Sequence, residues 1–162
     1  MKQTVFIDTS ILCNLLMIPG KDQDRQEVAE GFKVLQEKAD CHFILPVTAV
    51  IETGNHIAQL PDGRQRRTLA EKFQGWLELS ALSEPPYILH NFEWNADFIN
   101  RFLKGTGNGI SYIDHAQSGV GAGDIWILTE IESYRARVGK QANIRLWTLD
   151  TGLGAHCIGP DF

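Results

Sequence analysis

Two spacings of apolar residues alternate along this chain, one with the period of a strand and one with the period of a helix. Residues 4–7 form a short run rich in β-branched and aromatic side chains and read as a strand. Asp8-Thr9-Ser10 then offers helix-cap chemistry ahead of Ile11, Leu12, Leu15 and Leu16 at helical spacing, and Pro19-Gly20 stops that helix. Residues 23–38 carry Val28, Phe32 and Leu35 among charged side chains, the pattern of an amphipathic helix. A second strand is expected at 42–45, closed by Pro46, and a helix at 48–58 that contains Glu52. After the turn Pro61-Asp62-Gly63, residues 64–82 set Leu69, Phe73, Trp76 and Leu77 on one helical face until Pro85-Pro86 breaks the pattern.

The second half is less regular. Residues 87–89 suit a short strand or an extended connector, 93–103 a helix and 104–108 a glycine-rich loop, whereas 110–118 fits neither period. Gly119-Val120-Gly121-Ala122-Gly123 leads into a helix at 124–138. A last strand is expected at 144–149, with Asp150-Thr151-Gly152 directly after it. There is no internal repeat and no linker-like stretch, so a single domain over 1–162 is expected. Strands alternating with helices predict an α/β fold, a three-layer α/β/α arrangement around a central, mostly parallel sheet. In such sheets ligands bind outside the carboxyl ends of the strands.

That expectation gives the carboxylates meaning. Asp8 and Asp150 each stand at a predicted strand end, Asp124 opens a helix, and Glu52 lies in the helix after the second strand. Taken singly, each of the three aspartates could cap a helix or close a turn. Glu52 is harder to place that way, because Val47, Ala49, Val50 and Ile51 around it read as core. Four carboxylates in one cleft raise one another's pKa values unless a positive charge joins them. Mg²⁺ or Mn²⁺ prefers an all-oxygen site, and such an ion can activate water and stabilise charge on a phosphodiester.

Composition narrows the choice. The net charge of −5 runs against a protein that holds nucleic acid by phosphate contacts alone, although two divalent cations would offset most of it. Cys13, Cys41 and Cys157 show no CxxC spacing, so free thiols are expected. The chain opens on a strand pattern instead of a signal peptide and has no run of about 18 apolar residues. A cytoplasmic protein without membrane contact is therefore the expectation.

Other residues were weighed. His42, His56, His90, His115 and His156 make no HxxxH pair; His56 lies one turn after Glu52, near Asn55. Arg64, Arg66 and Arg67 form one basic group, and Arg135, Arg137 and Lys140 another; either could hold RNA phosphates or simply face solvent. Asp114 is a further acid ten residues before Asp124. The glycines at 119–123 lack the Lys-Ser/Thr of a P-loop. A phosphatase of the haloacid-dehalogenase type would need a second Asp where Ser10 stands.

The segments Val5-Phe6-Ile7-Asp8-Thr9-Ser10-Ile11-Leu12, Pro46-Val47-Thr48-Ala49-Val50-Ile51-Glu52, Gly123-Asp124-Ile125-Trp126-Ile127 and Leu146-Trp147-Thr148-Leu149-Asp150 together resemble PIN-domain nucleases, among them the VapC-type toxins of toxin–antitoxin pairs. The resemblance implies that Asp8, Glu52, Asp124 and Asp150 coordinate one or two Mg²⁺ or Mn²⁺ ions and cut single-stranded RNA. It implies supporting hydrogen bonds from Ser10 and Thr148, and it brings an antitoxin protein and a homodimer into view as partners. A nuclease of RNA maturation or decay, or an interaction module with little activity, are the other readings it allows. Between 85 and 119 the chain departs from the pattern, notably around Trp94 and at Gly105-Thr106-Gly107-Asn108-Gly109.

Overall fold

The first strand, β1 (Gln3–Ile7), has no face for water: Thr4 through Ile7 are all buried. That is the signature of a central parallel strand covered on both sides. The structure, a computed structural model, describes residues 2–105 and 107–156; Thr106 and Cys157, which carried expectations above, lie outside the described residues. Here β1 stands between β2 (Cys41–Ile44) and β3 (Asn143–Trp147), in a parallel sheet of order β2-β1-β3. Val5 sits opposite Phe43 and Arg145, and Phe6 opposite Ile44 and Leu146.

Alternation along the strands makes two cores. Val5, Ile7 and Phe43 pack with Ile11, Leu12, Val28, Phe32, Leu69 and Phe73 on one face. Phe6, Ile44, Ile144 and Leu146 pack with Ile127, Leu128, Ile131 and Leu153 on the other. The first face is covered by α1 (Thr9–Leu15), α2 (Arg25–Gln36) and α4 (Gly63–Leu82), the second by α7 (Ala122–Val138) and α8 (Thr151–His156). Helix α3 (Val47–Ala58) lends Ala49 and Ile57 to the first core and also contacts α7. The three layers expected from the pattern are present. Phe32 and Leu35 are core residues, and Trp76 stacks on Phe32 at 5.3 Å, so their apolar character is accounted for within one chain.

The limits of several elements differ from the sequence pattern, each for a local reason. Helix α5 (Ala96–Lys104) starts three residues later than expected because the Asn95 side chain accepts from Phe98 N at 3.0 Å and so fixes the cap. The ambiguous stretch contains α6 (Tyr112–Gln117), capped by Ser111. Residues 87–89 are the extended connector: Phe43 N donates to Pro86 O, Ile88 N donates to Phe43 O, and Tyr87 makes a single bridge. Strand β3 ends at Trp147, two residues early, so Thr148 and not Asp150 follows the strand. Asp150 instead precedes α8, a helix the sequence pattern did not announce. Helix α7 begins at Ala122, which puts Asp124 inside its first turn.

From β1 the chain departs towards β2, while β3 arrives on the opposite side. The carboxyl ends of β1 and β3 therefore flank the point where the sheet order switches, the usual place for a ligand crevice. Among the described residues no helix is long and apolar enough to cross a membrane.

Candidate metal centre

Asp8 occupies that switch point. It follows β1, is only 5% exposed, and its backbone N–H donates to the Trp147 carbonyl at 3.0 Å. Although it stands at the cap position of α1, its side chain makes no capping bond. Its Oδ2 accepts instead from Ser10 Oγ at 3.0 Å and from Thr148 Oγ1 at 2.7 Å. Each hydroxyl is anchored in turn by a backbone donor: Leu149 N to Ser10 at 3.0 Å and Asp150 N to Thr148 at 2.9 Å. The ends of β1 and β3 are thus stitched together through one carboxylate oxygen, to which both hydroxyls donate.

Glu52 reaches the same edge from α3. Its Oε2 accepts from Thr9 Oγ1 at 2.8 Å, the residue next to Asp8. Helix α7 approaches it closely: a Cβ built on Gly123 would fall 2.6 Å from Glu52 Oε1. Thr48 Oγ1 donates to the Gly123 carbonyl at 3.3 Å, tying α3 to the start of α7. The glycine-rich approach therefore has its use here, as close passage and not as a phosphate cradle. Asp150 is exposed, and its Oδ1 accepts from Leu153 N at 3.0 Å, so one of its oxygens caps α8.

Asp124 registers the whole group. Burial pushes its carboxyl up to about 6, and Asp8, Asp150 and Glu52 each push it the same way. Cys13 behind the site is raised to about 11, chiefly by burial, with Lys21 opposing and Asp8 and Glu52 adding to the rise. A thiol so raised is inert at neutral pH. The ion pairs among the described residues lie elsewhere. Among the described residues no three Asp, Glu, His or Cys side chains stand close enough together to hold a metal ion as they are placed. Asp8, Asp150 and Glu52 all act on Asp124 through space. An all-oxygen, strongly negative donor set fits a hard divalent cation.

His56 is lowered by burial and by Lys21, against an opposing effect of Glu52. Asn55 is exposed. Asp114 is spent locally: Ser111 Oγ donates to it at 3.0 Å while accepting from its backbone N–H. Arg66 donates to the Leu60 and Pro61 carbonyls, and Arg67 pairs with Glu71 at 2.9 Å. Arg135 pairs with Glu132 at 2.6 Å, and Arg137 lies over the Tyr134 ring. Arg64 and Lys140 are exposed.

One residue was not foreseen. Glu130 of α7 is 1% exposed, and its Oε1 accepts from Val47 N at 3.1 Å and Trp126 Nε1 at 2.8 Å. It fastens the first residue of α3, the helix of Glu52, to α7, the helix of Asp124. Burial pushes its carboxyl up to about 7, with the two donors opposing. The signal was in the sequence: an acid within Ile125-Trp126-Ile127-Leu128-Thr129-Glu130-Ile131 is as anomalous as Glu52 among its own apolar neighbours.

Gly123→Ala isolates the close passage. Its new methyl meets only the end of the Glu52 side chain, so the carboxylate swings off and the fold holds. Thermal melts are expected to stay within about 1 kcal/mol of wild type, the helix preference of Ala over Gly set against the lost Thr9–Glu52 bond. Mn²⁺ titration is expected to show affinity reduced by roughly 10-fold or more, the scale on which displaced supporting groups act. Unchanged Mn²⁺ affinity would remove Glu52 from the centre.

No family model, no curated protein and no solved structure matches the chain.

Proposed function

We propose that this chain is a PIN-type, divalent-metal-dependent endoribonuclease that hydrolyses phosphodiester bonds of single-stranded RNA. The observation that carries the reading is Asp8, a carboxylate buried at the switch point of the sheet and oriented by the hydroxyls of Ser10 and Thr148. A purely structural aspartate at the start of α1 would cap that helix, and this one does not.

Asp8, Glu52, Asp124 and Asp150 would hold Mg²⁺ or Mn²⁺. A divalent cation bound there lowers the pKa of a water and offsets the charge developing on the phosphodiester. The protein's own contribution is orientation. Ser10 and Thr148 set the angle of Asp8, and Thr9 sets that of Glu52. Asp124 is half-buried in the first turn of α7, where the helix dipole favours its negative charge. Burial raises Asp124 most, and the repulsion from Asp8, Asp150 and Glu52 that adds to the rise would be relieved by a bound cation.

The nucleophile distinguishes this mechanism from other RNA cleavage. Attack by water needs no 2′-hydroxyl, so an oligoribonucleotide with one 2′-deoxy residue at the scissile position is expected to be cut at a rate comparable to the all-ribose strand. Neither product carries a 2′,3′-cyclic phosphate. Resistance of the deoxy substrate, or cyclic phosphate ends, would point to attack by the 2′-hydroxyl and reject metal-assisted hydrolysis. Gel mapping and mass spectrometry of the products read both.

A further inference from the structure

Trp94 is 63% exposed, yet it is not loose. Its indole stacks on Trp126 with centroids 5.0 Å apart and planes 23° from parallel, while Phe98 tilts against it at 5.9 Å. Trp126 is itself immobilised by its bond to Glu130 and by Phe92 and Phe98, at 5.9 and 4.9 Å. An indole is the largest apolar payload a chain can bury, and leaving most of one in water forfeits that stabilisation. Here the exposed ring is braced from behind, with one flat face turned outward.

Its position matters. Trp126 follows Asp124 by two residues on α7, which sets the two side chains on different faces of that helix. Through Glu130 the same tryptophan is tied to the first residue of α3, the helix of Glu52. Beside Trp94 opens a cleft of about 240 Å³ lined by Asn95, Ser133, Arg137 and the mutually paired Asp97 and Arg101, a polar surface of the kind that meets base edges and ribose hydroxyls.

Charge points the same way. A chain of net charge −5 gains little from phosphate attraction, and Arg66, Arg67, Arg101 and Arg135 are engaged with the protein's own carbonyls or carboxylates. Stacking on aromatic rings supplies affinity for unpaired bases without cations and without sequence preference. We propose that Trp94 is a stacking platform for an unpaired base of the RNA strand whose backbone is cut at the acidic centre. The proposal rests on the nuclease reading for its ligand and on the Trp94–Trp126 stack for its geometry.

The test is binding of a short fluorescein-labelled oligouridylate in EDTA, read by anisotropy, so that cleavage does not intervene. Trp94→Ala is expected to weaken binding by about 5- to 100-fold, the range for one stacked base. Trp94→Phe keeps most of the affinity, and Leu82→Ala, which removes an equally exposed side chain (66%) elsewhere, leaves it unchanged. The dependence of affinity on salt stays the same in Trp94→Ala, because no phosphate contact is lost. Wild-type affinity in Trp94→Ala overturns the platform, as does a change in its sedimentation with RNA binding intact, which would make Trp94 a protein contact. If the RNA binds through Trp94 but is not cut in Mg²⁺ or Mn²⁺, the platform stands and the nuclease reading fails. If the RNA is cut while Trp94→Ala binds like wild type, the nuclease stands and the platform fails. No binding by the wild-type protein in EDTA overturns the platform, and the nuclease reading is then decided by cleavage in Mg²⁺ or Mn²⁺.

Discussion

Replacing Glu130 by Gln removes a fall in stability that the wild-type protein suffers between about pH 4.5 and pH 7. The ordinary glutamate value is 4.5, and burial beneath α3 raises Glu130 to about 7. A carboxyl raised on folding favours the folded state when protonated. Its contribution is fully present below the unfolded value and is lost as pH rises through the folded one. By neutral pH the cost of holding this charge away from water reaches roughly 3 kcal/mol. Gln accepts the same two bonds from Val47 N and Trp126 Nε1 through its amide oxygen and does not titrate. Any fixed cost of burying its NH₂ shifts the whole curve without changing its slope. The difference in stability between Glu130→Gln and wild type is therefore expected to grow by roughly 3 kcal/mol from pH 4 to pH 8, some 6–12 °C in melting temperature. The difference also cancels the opposing effect of the histidines, of which His90 is lowered to about 4, mainly by burial. Denaturant melts across pH decide the matter, and parallel curves for the two proteins would show that Glu130 is not a buried, titrating acid.

The second large effect is on activity. Asp8→Asn keeps an oxygen for the Ser10 and Thr148 hydroxyls and removes one negative charge from the cluster. Its melting temperature in EDTA is expected to stay within about 3 °C of wild type, since no buried bond is lost. RNA cleavage is expected to fall by about 100-fold or more, because losing a ligand costs at least what losing a supporting group costs. A variant that unfolds is uninformative about chemistry, so the melt accompanies every rate. A well-folded Asp8→Asn protein that cuts RNA at the wild-type rate would take Asp8 out of the catalytic machinery.

Much of this architecture was legible in the chain because its periodicity is strong where the core is deep. The run at Val5-Phe6-Ile7 and the acids on either side of the glycine-rich stretch needed no tertiary information to be noticed. What escaped has a common cause. Helices α6 and α8 are six residues each and held by the single caps Ser111 and Asp150, too short for a helical period to emerge. Just past the end of β3 the Thr148 hydroxyl donates to Asp8, a bond to a residue 140 positions away that no local pattern announces. Glu130 and the Trp94–Trp126 stack are likewise meetings of distant segments. Sequence marked the residues as unusual and could not say what they touched. The four acids were gathered in the reading by the rule that ligands sit at strand ends. Only Asp8 sits directly at one, while Asp124 and Glu52 arrive on helices and Asp150 after a hydroxyl-bearing spacer.

The most direct measurement is the rate at which the unmodified protein cuts a labelled single-stranded RNA in Mg²⁺, in Mn²⁺ and in EDTA. Cleavage in either metal, abolished by EDTA and restored by excess cation, is the result expected if these four carboxylates form one hydrolytic metal centre. Cleavage that EDTA does not touch, or none in either metal with RNA that the protein demonstrably binds, would contradict it.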